Sequence, residues 1–205
     1  YMGLGLALTG AVAFFTSSSP ALMQAIFGSP LQWLVMLSPF AFILVLSFGI
    51  NRLRPATAQL LFWAFAGVMG LSLSSIFIVY TGTSIARVFF ITASVFGAMS
   101  LYGYTTKKSL ASWGSFLFMG LIGVVIAMVV NMFLASSALH FIISVAGVLV
   151  FTGLTAYDTQ QIKQDYYAGD GAVVVEKKAI MGALRLYLDF INLFIMLMHL
   201  LGQNR

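Results

Sequence analysis

The stretch "SWGSFLFMGLIGVVIAMVVNMFL", residues 112–134, runs 23 positions without one charged side chain. A membrane-spanning β-strand needs only about 10 residues, whereas a helix needs about 20 to cross a hydrocarbon core of ~30 Å. The run therefore reads as a transmembrane helix. The rest of the chain has the same character. Of its 205 residues 61% are hydrophobic and 7% charged, against roughly a quarter charged in soluble domains. Too few polar groups exist to cover a water-facing surface. The fold class is all-α, a polytopic membrane protein.

Seven such spans are predicted, near residues 1–15, 31–53, 58–80, 86–105, 112–134, 139–163 and 179–201. Punctuation separates them: "TSSSP" (16–20), Pro55, "TGTS" (81–84), "TTKKS" (105–109), "ASSA" (135–138) and a polar loop "QDYYAGDGAVVVEKK" (164–178). No soluble insertion interrupts the series, so residues 1–205 form a single seven-helix transmembrane domain. The chain starts at Tyr1 and not at Met, so the native N-terminus is expected to be missing.

The net charge of +5 would suggest a nucleic-acid partner in a soluble protein. Here the basic residues sit at the ends of apolar runs, where they set topology, and no nucleic-acid partner is expected. With the N-terminus inside, the inner loops hold Arg52, Arg54, Lys107, Lys108, Lys163, Lys177 and Lys178. The outer side keeps Arg87 and Arg205. The C-terminus is then outside, and the partner common to all spans is the lipid bilayer. Cysteine is absent, which excludes disulfide and thiolate chemistry. Ala93 and Gly97 form a small-xxx-small pair expected to let helices approach closely. Asn131 is expected to hydrogen-bond between helices.

Five acids are present, and two fall inside spans: Asp158 in "GLTAYDTQQIK" (153–163) and Asp189 in "LRLYLDFINLF" (184–194). An acid at mid-membrane costs a few kcal/mol, about 2.5–3.5 on insertion scales, so each needs a reason to be there. The sixth and seventh spans run antiparallel across one loop, and both carboxylates fall in the inner half of the bilayer. Two carboxylates within reach of each other share a proton and titrate as a unit. Such a pair can sense pH, bind a cation or activate water; the plainer alternative is two acids neutralised separately. Arg52 and Arg54 are placed in the last turn of the second span, either as interface anchors or, for one of them, as an inward partner of the aspartates. Arg185 is one turn before Asp189 and is a possible modulator of it.

Asp165 and Glu176 have the first-to-last spacing of an EF-hand. Tyr167 and Gly169 stand where oxygen donors belong, and Asp170 replaces the turn glycine, so that reading is rejected. His140 and His199 lack converging acids and make a poor metal site. No tightly bound cofactor is expected.

"AYDTQQIK" (156–163) and "LYLDFINLF" (186–194), with "LSSIFIVYT" (73–81) and "GAMSLYGYTTKK" (97–108), resemble the transmembrane Bax inhibitor motif family, in particular its bacterial inner-membrane members. The resemblance covers essentially the whole chain. It implies six helices around a central seventh and a pH-sensitive calcium leak, with calcium and protons as the small partners. It also implies that Asp158 and Asp189 form the pH sensor and a transient calcium site. Alignment through "GLSLSS" (70–75) puts the family's gate-locking arginine at Arg52, with Arg54 as the alternative. An acid that some relatives carry earlier in the second helix aligns with about Ala41, and Arg185 stands where small polar residues are common; both departures bear on calcium passage. Two other classes remain open. An intramembrane aspartyl protease also needs paired aspartates, but "LYLD" replaces its glycine-rich motif. An interaction protein would use the aspartates for packing alone.

Overall fold

The computed structural model describes residues 1–205. It is 84% helical and has no strand. The elements are α1 (Met2–Ser17), α2 (Pro20–Phe27), α3 (Leu31–Gly49), α4 (Pro55–Leu73), α5 (Ile76–Val79), α6 (Gly82–Thr105), α7 (Ala111–Leu134), α8 (Ser137–Asp165) and α9 (Ala172–Leu201). Six helices, with α4 and α5 counted together, are long and apolar enough to cross a membrane. The count reaches seven when α1 and α2, bent by 99° at their break, are taken as one span.

Local chemistry explains most of the boundaries. Pro20 and Pro55 open α2 and α4 at the first helical position, where a missing N–H costs nothing. Ser19 Oγ caps α2 by accepting from Leu22 N, and Ser136 Oγ caps α8 by accepting from Leu139 N. The α7 helix ends on Ala135 in the left-handed conformation, with φ 48°. Asn131 Oδ1 then accepts from Ser136 N at 3.0 Å. The asparagine thus closes its own helix end and does not bridge two helices as expected.

Three boundaries depart from the sequence reading. The third span breaks at Ser74 and Ser75, whose hydroxyls bond back to Leu71 O (2.6 Å) and Ser72 O (2.9 Å). Such local bonds compete with the helical ladder and interrupt it. The helix of the second predicted span, α3, stops at Gly49, so Arg52 and Arg54 do not occupy its last turn. Arg52 lies in a turn closed by its own N–H to Gly49 O at 2.9 Å, and Arg54 is the extended residue that Pro55 demands. Finally, the polar loop before the last span is largely helical, because α9 begins at Ala172. Asp165 is the last residue of α8 and Glu176 lies near the start of α9, which precludes an EF-hand loop.

The chain divides into two compact units. Unit 1 comprises Tyr1–Tyr80, Tyr167–Tyr187 and Asn204–Arg205; unit 2 comprises Thr81–Tyr166 and Leu188–Gln203. In unit 1, α1 and α3 pack on α4. A Cβ on Gly70 of α4 would stand 2.7 Å from Thr9 O and 2.8 Å from Val12 Cβ of α1, so only glycine permits that approach. In unit 2, α6 and α7 both pack on α8. Residues of α9 supply core to each unit: Ile180, Leu184 and Tyr187 in the first, Leu193, Met196 and Met198 in the second. Of the six long apolar helices, α9 is the most buried. It is 67% buried along its apolar stretch, against 11% for α7, which is more apolar still. Burial that falls as apolarity rises is the reverse of a water-soluble core, and it fits lipid as the outer solvent.

Gly97 has nothing within 4 Å of where its Cβ would be and is exposed. The expected close approach at Ala93 and Gly97 is therefore wrong in position. The tight contact on α6 is two turns later, at Gly103, against the backbone of Ala156 on α8.

Candidate functional site

The α8 segment 156–163 holds unit 2 together residue by residue. Tyr157 lies over Gly114 of α7. Thr159 Oγ1 donates to Thr155 O (2.7 Å) and meets Ser100 Oγ of α6 at 3.3 Å. Gln160, 4% exposed, grips the link before α7 with both ends of its amide. Its Oε1 accepts from Leu110 N at 2.7 Å, and its Nε2 donates to Lys108 O at 3.0 Å. Lys163 Nζ donates to Tyr104 O at 2.7 Å and sits 4.6 Å above the Tyr104 ring. Asp158 lies on this segment and is half-buried.

Asp189 is 5% exposed. Its successor Phe190 is edge-on to Phe89 (5.5 Å) and Phe96 (5.4 Å) of α6. The depth of the two acids follows from contacts between α8 and α9 inside unit 2. At one end the His140 and His199 rings are 4.5 Å apart. Further along, Gly147 faces Met196, whose Sδ would be 2.7 Å from a Cβ there. The helices are thus antiparallel. Asp158 stands about 16 Å beyond Gly147 along α8, and Asp189 about 10 Å beyond Met196 in the same direction, so their depths agree within about 6 Å. No group of three or more His, Cys, Asp or Glu side chains converges. The two carboxylates supply at most four oxygens, fewer than the six to eight that hold calcium firmly.

Arg52, Arg54 and Arg185 belong to unit 1, whereas Asp158 and Asp189 belong to unit 2. All three arginines are exposed. The turn carrying Arg52 is tied to α9 within unit 1, where Lys177 Nζ donates to Asn51 O at 3.1 Å. Lys178 pairs with Asp170 at 2.6 Å, an exposed ion pair of little energetic consequence.

Sequence reasoning missed a polar node in unit 1. Tyr187, fully buried, places its hydroxyl 2.6 Å from Thr9 Oγ1. Thr9 Oγ1 is also 2.9 Å from Gly5 O and 2.8 Å from Ala66 O. Thr9 has one proton to give, so the carbonyls share it and Tyr187 donates to Thr9. Phe62 and Phe65 of α4 close around the ring at 6.2 and 5.2 Å. A hydroxyl in hydrocarbon without a partner is costly. A double-mutant cycle of Thr9→Val and Tyr187→Phe, read by reversible unfolding in bicelles, should give a coupling of about 0.6–1.7 kcal/mol; additive effects would mean the bond carries nothing.

The family model described as "Inhibitor of apoptosis-promoting Bax1" matches residues 1–205. The Rickettsia prowazekii protein RP147 is 51% identical over 205 residues, covering 100% of this chain and 87% of that protein. The Escherichia coli inner membrane protein YbhL is 46% identical over 208 residues, covering 100% of this chain and 89% of YbhL. A Caulobacter vibrioides protein is 45% identical, with 100% and 86% covered.

Proposed function

The chain belongs to the Bax inhibitor family, and from that premise we propose that it is a pH-sensitive calcium leak of a bacterial inner membrane. The observation that carries this reading is the burial of Asp189 on the last helix at nearly the depth of Asp158 on its antiparallel neighbour. An acid held there is costly to ionise, so its charge state responds to pH and its neighbours respond to its charge. In this reading the deprotonated pair holds Arg52 as counter-ion and the path is closed. Protonation weakens that pairing and shifts the population toward open. Calcium passes as a weakly held cargo, with water and backbone carbonyls completing its shell.

The orientation proposed is N-terminus inside and C-terminus outside, on the weight of basic residues in alternate links. YbhL, an inner membrane protein, supports the location. The sign follows directly: raising pH increases the ionised fraction and lowers flux. In liposomes loaded with a calcium dye, influx should rise as pH falls from about 8 to about 6. Arg52→Gln should raise the flux at about pH 8 roughly tenfold or more while Arg54→Gln leaves it near wild type, since one lost charge-assisted contact is worth about 1.5–3 kcal/mol. Flux independent of pH would refute the reading.

A further inference from the structure

Unit 2 contains a groove of about 720 Å³, within the range of sites that hold small molecules. Its floor is α8, through Ala146, Gly153 and Ala156, and its walls come from α6 (Met99) and α7 (Leu117). This lining is apolar along its length. At one end it changes character: Lys108, Ser109, Tyr102 and Trp113 gather there. The α8 floor from Ala146 to Tyr157 rises about 16 Å, close to half of a ~30 Å hydrocarbon core. The groove is thus one leaflet deep, with its cationic, aromatic end at the level where headgroups lie.

We propose that this groove holds one acyl chain of an anionic phospholipid, with the phosphate at Lys108. Basic pockets between transmembrane helices select anionic headgroups, and Trp and Tyr mark the same level. Lys107 adds a second exposed cation beside Lys108. The mouth is not left to loop motion, because the Gln160 amide fixes Lys108 O and Leu110 N. Trp113 stays available at the rim, edge-on to Phe116 at 6.2 Å. A zwitterionic lipid can fill the apolar floor but gains nothing from Lys108.

The test uses the full chain carrying Trp33→Phe and Trp63→Phe, so that Trp113 is the fluorophore. It is reconstituted in phosphatidylcholine vesicles with increasing brominated phosphatidylglycerol or, separately, brominated phosphatidylcholine. Half-quenching of Trp113 should need roughly fivefold less of the anionic lipid, and Lys108→Gln should remove most of that preference. Ala146→Phe, which fills the floor without altering charge, should weaken quenching by both lipids. Native mass spectrometry of the unmutated chain should show phosphatidylglycerol retained over phosphatidylcholine. Excess inorganic phosphate at constant ionic strength should leave the preference intact. Equal quenching by the two lipids, an unchanged preference in Lys108→Gln, or loss of the preference to free phosphate would each overturn the assignment.

Discussion

Asp189→Asn is expected to leak calcium at about pH 8 as fast as the wild type does at about pH 6, a rise of roughly tenfold or more. Tenfold corresponds to about 1.4 kcal/mol, the low end of what a charge-assisted hydrogen bond contributes. Asparagine matches the shape of aspartic acid but cannot deprotonate. It therefore holds the state that acid favours, and the flux profile against pH should become flat. Stability supplies the second readout. A carboxylate within the membrane costs a few kcal/mol, roughly 2.5–3.5, so the uncharged variant should melt at or above the wild-type temperature in detergent. A purely packing role for the aspartate predicts a different pattern: a shifted melt with the pH dependence of flux untouched. That pattern would remove Asp189 from the gate while leaving the bundle intact.

How far the sequence reveals all this depends on what each residue contributes to a one-dimensional pattern. The spans of α6, α7 and α8 are readable to within a few residues, because charged or turn-forming clusters bound each apolar run. Asp189 is readable for the same reason, since a lone acid in an apolar run demands an explanation. Thr9 and Tyr187 are not. Hydroxyls cost little in a transmembrane pattern, and their pairing spans 178 positions of sequence. Gln160 hides likewise beside the acid of its own motif, although it is the amide that bridges two elements. The break at Ser74 and Ser75 is a competition between side-chain and backbone donors that hydropathy does not register. The start of α9 is obscured by "VVVEKK", which reads as a polar connector and is instead a helical extension anchored by Lys177. For the arginines the difference is one of position: Pro55 marks where a helix cannot continue, not where the previous one ends.

The glycines of α6 put the packing of unit 2 to its sharpest test. Gly103→Ala should lower the detergent melting temperature by several degrees, corresponding to about 1–3 kcal/mol of overpacking. The added Cβ would stand 2.9 Å from both Cα and C of Ala156, with the carbonyl oxygen closer still. These are backbone atoms and cannot rotate aside, so α6 must withdraw from α8. Gly97→Ala should do the opposite. Its Cβ meets nothing within 4 Å, so helix propensity alone acts and favours alanine by roughly 0.5–1 kcal/mol. A melt in which the two substitutions exchange effects would show that the α6–α8 register is wrong. The consequence reaches the proposed gate as well. Ala156 is two residues before Asp158, and the bond from Thr159 to Ser100 crosses the same pair of helices. Withdrawal of α6 loosens the turn that carries Asp158, so Gly103→Ala should also change the ratio of acid to alkaline flux, which Gly97→Ala leaves near its wild-type value.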